Sequence, residues 1–267
     1  MEGLDMSSTF SNANITQFEE PKVEVTNISS DTRLKLLANL PIDVGNGIHF
    51  HTPTLEEIIQ IGESRYNELL SIMLLDKRSI ESLAEDETIT NFHILYANCY
   101  HSSEFMEAFK ESAQFFFKEE VHRSPEHLGV FFYFGDILEE RFINEENFEF
   151  IQSLIMVANN VSFKEEDYDP FNERARKLVE EIKQIKEEVA KKKEKIDDFE
   201  SKISGLAWKS NMNIFDVFKL SIYQFYDGLL RLEQVDSYQF TLTGVYAGTV
   251  SSDKIKMSDL HWTKKLK

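Results

Sequence analysis

Between Glu173 and Leu206 one seam of residues recurs at alternating steps of three and four: Ala175, Leu178, Ile182, Ile185, Val189, Lys192, Ile196, Phe199, Ile203 and Leu206. Every member but Lys192 is apolar. A mean spacing of 3.5 keeps the seam facing a neighbouring helix and so demands a left-handed coiled coil rather than a broad core-facing stripe. The a positions from Ile182 to Ile203 are all β-branched, the choice that favours two parallel strands. Glu181, Glu188 and Lys195 fall at g, and Lys186, Lys193 and Glu200 at e, so each g residue of a parallel homodimer meets an opposite charge. Each exposed pair contributes about 0.3–0.5 kcal/mol and sets direction more than strength. The seam supplies the stability, at roughly 1.5–3 kcal/mol per well-buried Ile or Leu. Lys192 weakens its middle. The competing reading is a long solvated helix, or one folded back on its own domain.

Charge is unevenly placed around this rod. The chain carries a formal net charge of −18, and residues 1–172 hold 32 acidic against 11 basic side chains. Such a body repels phosphate, so neither nucleic acid nor an anionic membrane is an expected partner. The single cysteine, Cys99, excludes an internal disulfide framework and sits among apolar neighbours, as a buried thiol does. No basic-then-apolar leader opens the sequence and no run approaches 18 uninterrupted apolar residues, so the expected location is the reducing cytoplasm in which the chain is made.

Along the chain, residues 1–32 lack apolar periodicity and read as a disordered tail in which Val23 and Val25 form at most a short edge strand. Residues 33–165 read as an acidic α+β domain, mostly helical with two β-hairpins. The first hairpin pairs Ile42–Val44 with Ile48–His51 around Gly45-Asn46-Gly47. Thr54 and Glu57 form a capping box opening a helix to about Leu75. Further helices start within Asp86–Thr90 and at Ser103. Gly129–Phe134 and Leu138–Ile143 form the second hairpin, and Asn144 caps another helix. Residues 162–169 are a polar linker and 170–206 the coiled-coil helix. Residues 207–250 are a small helical region with two short helices, Ile214–Leu220 and Ile222 to about Leu232, capped by Asn213 and Ser221. Residues 251–267 read as a flexible tail.

Candidates for chemistry are sparse. His49 and His51 lie two apart on a strand and share a face, but no third metal ligand adjoins them. The paired carboxylates Glu56-Glu57, Glu119-Glu120, Glu139-Glu140 and Glu145-Glu146 fall at caps and solvated faces. Phosphate cradles, nucleophile elbows and kinase motifs are absent from the sequence. The expectation is a non-enzymatic binding protein with no cofactor and no metal. Its working surfaces are the seam Leu178, Ile182, Ile185, Val189, Lys192, Ile196, Phe199, Ile203 and Leu206, and the carboxy-terminal residues Tyr223, Tyr226, Leu230 and Trp262.

Three stretches, taken in order, carry a resemblance. Thr52-Pro53-Thr54-Leu55-Glu56-Glu57-Ile58 and Ile61-Gly62-Glu63-Ser64-Arg65-Tyr66 follow a short hairpin; Asp169-Pro170-Phe171-Asn172-Glu173-Arg174-Ala175 leads into a charged helix. Phe215-Asp216-Val217-Phe218-Lys219-Leu220-Ser221-Ile222-Tyr223-Gln224-Phe225-Tyr226-Asp227 precedes a tail containing Trp262. Across most of residues 40–266 the chain resembles tail assembly chaperones of bacteriophages that infect Gram-positive bacteria. The resemblance implies binding of the tape measure protein, or another tail protein, during tail morphogenesis. It also implies the option of a programmed frameshift, for which the Lys264-Lys265 codons are the candidate site. The long heptad helix departs from the simplest chaperones. It equally suits a structural component of the neck, tail or baseplate that oligomerises through its coil. A host-directed protein whose acidic surface mimics nucleic acid is a third reading.

Overall fold

A computed structural model describes residues 28–80, 88–161, 198–251, 255 and 260–264. Nine helices and five short strands are present among them. They are α1 (Ser30–Leu37), β1 (Ile42–Asp43), β2 (His49–Phe50), α2 (Leu55–Ile61), α3 (Glu63–Met73), α4 (Asn91–His101) and α5 (Ser103–Phe117). Then come β3 (Val121–Arg123), β4 (Phe132–Phe134), β5 (Phe142–Ile143), α6 (Glu145–Ala158), α7 (Phe199–Ser210), α8 (Ile214–Phe218) and α9 (Ile222–Tyr246). The protein is mixed helix and strand with two small antiparallel sheets, β1–β2 and β3–β4–β5.

The expected caps form. Thr54 and Glu57 exchange both bonds of a capping box, as do Asn144 with Asn147 and Ser221 with Gln224. Each satisfies amides that a first helical turn leaves orphaned. The first hairpin turns through Gly45, Asn46 and Gly47, all at positive φ, and pairs Ile42 with Phe50.

Four local expectations are corrected. Order reaches back before Arg33: Ile28 is buried in the core and Ser29 caps α1, accepting from the Thr32 amide at 3.1 Å. The helix expected from Thr54 to Leu75 is two helices, because Gly62 at φ +87° ends α2 and starts α3 in a new direction. Leu138 begins no strand. Asp136 accepts from the Leu138 amide at 2.9 Å and winds 137–139 into a 3-10 turn that leaves Leu138 85% exposed. The last helix runs not to Leu232 but to Tyr246, closing where Gly248 takes positive φ and the Thr249 and Val250 amides bond back to the Gly244 carbonyl. Strand β3, pairing Val121 with Phe134, was not expected from sequence.

The core is aromatic. Phe109 and Phe132 have centroids 4.5 Å apart, Phe92 meets Phe132 edge-on at 6.0 Å, and Phe117 meets Phe134 at 5.3 Å. Offset and edge-on pairs of this kind contribute about 0.5–1.5 kcal/mol beyond area burial. The same cluster takes in Ile203, Leu206 and Ala207 of α7, Val217 of α8, and Ile222 and Phe225 of α9. The carboxy-terminal helices therefore share one core with the amino-terminal body.

Two helix starts form the joint. The Leu55 amide, first in α2, donates to the Leu220 carbonyl at 2.9 Å, and the Ile222 amide, first in α9, donates to the Pro53 carbonyl at 2.8 Å. Thr54 and Ser221 thus make an isolated antiparallel bridge. The residue before each helix's cap supplies an acceptor for the first amide of the other helix, which that helix's own first turn could not satisfy. Gln224 Nε2 adds a bond to the Leu37 carbonyl at 2.8 Å, tying α1 to the same corner.

Candidate interaction surface

Helix α9 has 25 residues, of which Ile222 and Phe225 are fully buried. Past that first stretch Tyr226, Leu229 and Leu232 are partly buried against the same core. Helix α7 crosses it closely at Gly228, where an added Cβ would sit 3.4 Å from Leu206 Cδ1. An ion pair between Lys209 and Asp236 fixes the two helices further along. Between them lies a groove of about 400 Å3, lined by Gly205, Leu206, Leu229 and Leu232 and bordered by Lys209, Glu233 and Asp236.

Several large apolar side chains of these carboxy-terminal helices face solvent. Trp208 on α7 is 84% exposed and Phe215 on α8 is 68% exposed. Towards the far end of α9, Phe240 is 74% and Tyr246 84% exposed. Single exposed apolar residues are ordinary, but these four are the most exposed aromatic side chains among the described residues.

The sequence-derived positions divide. Leu178, Ile182, Ile185, Val189, Lys192 and Ile196 lie outside the described residues, as do residues 1–27, the segment 162–169 and Lys265. Phe199, Ile203 and Leu206 do not continue a helix from the seam. Asp198, with ψ 160°, starts α7 afresh by accepting from the Ser201 amide at 2.7 Å. All three turn inward on the chain's own core, with Phe199 edge-on to Phe225 at 5.6 Å. A long coiled-coil helix is not shown among the described residues. Tyr223 and Tyr226 also pack against the core, Leu230 is half-buried, and Trp262 is 44% exposed. The more exposed aromatic residues, Trp208, Phe215, Phe240 and Tyr246, escaped the sequence reading, because periodicity marks apolar spacing and not which face stays uncovered.

The titratable clusters are structural in geometry. Glu57 closes its capping box and accepts from Lys118 Nζ at 2.7 Å; these contacts outweigh burial and hold its carboxyl below the usual range. Arg141 grips Glu119 with two bonds at 2.6 and 2.7 Å, which lowers that carboxyl too. His51 stands between these pairs. Burial, then the charges of Lys118 and His49, depress its imidazole below the ordinary 6.5. Its amide donates to the Phe116 carbonyl at 2.8 Å. No group of three or more metal-ligating side chains exists among the described residues. A second, wide groove of about 780 Å3 runs past Arg65, Glu107 and Glu111, where Arg65 binds both Glu111 and Glu68. No described helix is long and apolar enough to cross a membrane.

The carboxy-terminal helices α7, α8 and α9 thus pack on the aromatic α+β body and carry four exposed aromatic side chains. The model of a family described as YomV second domain matches residues 190–267, the part of the chain that holds α7, α8 and α9. That match covers less than half of the chain and suggests a phage-derived protein family. No curated protein and no solved structure matches the chain.

Proposed function

We propose that the chain is a non-enzymatic tail assembly chaperone of a phage, binding the tape measure protein while the tail is built. The observation that carries this reading is the set of uncovered aromatic side chains, Trp208, Phe215, Phe240 and Tyr246, on the segment matched by a phage-derived family. A long, largely helical client offers apolar stripes that such a surface can cover. The acidic body, with a chain net charge of −18, keeps the loaded complex soluble. In this reading the heptad seam from Leu178 to Ile196 pairs two copies in parallel, forming the stem.

The test is capture of tape measure protein by the purified full chain, compared with the double variant Phe240→Ser, Tyr246→Ser. Capture by the parent and at least a tenfold loss in the variant, with unchanged circular dichroism, is the expected result. Capture by neither refutes the reading. Mass spectrometry of purified particles separates the roles: a chaperone is absent, whereas a neck, tail or baseplate component appears in stoichiometric amount. For the stem, Ile196→Asp is expected to turn a dimer into a monomer by light scattering, and an unchanged mass refutes pairing.

A further inference from the structure

One face of α9 is already covered by the chain's own terminal segment. Residues 260–264 return to the helix, and Arg231 Nη1 donates to two backbone carbonyls there, Trp262 O at 2.7 Å and Lys264 O at 2.8 Å. The segment presents both carbonyls together because it is a turn. The Lys264 amide donates to the His261 carbonyl at 2.9 Å, and the Thr263 amide to His261 Nδ1 at 3.3 Å. The His261 ring lies 5.6 Å from that of Tyr238 and stacks at 5.9 Å on Trp262.

Asp227, Arg231, Gln234 and Tyr238 stand at intervals of four, three and four, so they form one stripe. Gln234 Oε1, on that stripe, is buried and lacks a hydrogen-bond partner. The stripe belongs to a chain of net charge −18, whose field favours a cationic occupant. The terminal segment has that chemistry. Residues 251–267 hold five lysines against two aspartates, on a chain whose net charge is −18.

We infer that this stripe is a docking site for a basic, aromatic-bearing peptide turn, and that the chain's own terminus occupies it in cis until a partner segment of the same chemistry displaces it. Recognition falls on backbone carbonyls through Arg231 and on a ring through Tyr238, so the partner needs a ring set within a turn that presents two carbonyls together. The inference deepens the reading of α9 as the contact element. It is nevertheless read out in the isolated chain, so failure to capture tape measure protein leaves it standing.

The experiment uses the full chain carrying Trp208→Phe, which leaves Trp262 as the sole tryptophan of the two and lets 5-fluorotryptophan report its environment by 19F NMR. Arg231→Ala is expected to move the Trp262 signal to a new, undocked position, with Arg231→Lys in between and circular dichroism unchanged in both. A tethered segment has an effective concentration of order millimolar, so about 5–10 mM synthetic peptide of residues 251–267 is expected to move the parent signal to that same position. A scrambled peptide is expected to leave it in place. A Trp262 signal identical in the parent and in Arg231→Ala overturns the docking. A parent signal that the peptide does not move, or moves no more than its scrambled form does, overturns the exchange.

Discussion

Gln152 is the polar residue on which three helices depend, and Gln152→Leu measures how much. It is 1% exposed within α6, on a face otherwise built from Phe148, Ile151 and Ile155. Its Nε2 donates to the Met73 and Leu75 carbonyls, both at 2.9 Å, and its Oε1 accepts from Asn91 Nδ2 at 2.9 Å. Met73 is the last residue of α3, so its carbonyl lies in the turn that a helix leaves unsatisfied. Asn91 in turn accepts from the Lys77 amide at 2.8 Å, linking the end of α3 to the start of α4. Leucine fills nearly the same space but removes three bonds and strands their partners. At about 1 kcal/mol net for each, the loss is about 3 kcal/mol. For a protein of this size the melting temperature then falls by roughly 6–12 °C. Urea denaturation followed by far-UV ellipticity reads the loss directly. Gln152→Glu sharpens the test. A carboxylate there faces two carbonyl oxygens, so the variant is expected to be the weaker of the two at neutral pH and to recover as acid protonates it. A loss below about 1 kcal/mol in Gln152→Leu, or a Glu variant insensitive to pH, refutes the network as a source of stability.

Four further outcomes follow from the packing and burial of other residues. Gly205 lies inside α7 with nothing within 4 Å of a built Cβ, so Gly205→Ala is expected to stabilise by about 0.5–1 kcal/mol in urea melts. Gly228→Ala, facing Leu206 at 3.4 Å, is expected to gain less; a larger gain there contradicts the tight crossing. His51 has a depressed imidazole, so the unfolded chain takes up its proton first. Stability is therefore expected to fall as pH drops below 6.5, and His51→Gln to flatten that limb, while the lowered carboxyls of Glu57 and Glu119 act only below about 4.5. Equal slopes between pH 7 and 5 in parent and variant would count against this. Burial pushes the Cys99 thiol up to about 12, so labelling by a thiol reagent at pH 7.5 is expected to track unfolding rate; fast labelling of the native chain would show that the thiol is open.

What the sequence determined by itself was local. Thr54 with Glu57, Asn144 and Ser221 with Gln224 announced three helix starts, because a cap is a contact between residues three apart. Gly45-Asn46-Gly47 announced a hairpin, because positive φ is a property of the residues themselves. Gly62 lay in plain view inside the expected Thr54–Leu75 helix, yet a lone glycine is tolerated in a helix and only its neighbours' packing decided that it would turn. The spacing of Phe199, Ile203 and Leu206 was real, but it fixes which side chains share a face and leaves open what covers that face. In the folded chain Phe225 and the aromatic core cover it, from α9 and the body. The same limit hid Trp208, Phe215, Phe240 and Tyr246, since a residue is left in solvent by the absence of a neighbour distant in sequence. The joint between α2 and α9 and the return of residues 260–264 to Arg231 likewise depend on chain segments meeting across large sequence separations. Such meetings are selected by the total area buried and the polar groups satisfied, quantities that exist only once the whole chain has packed.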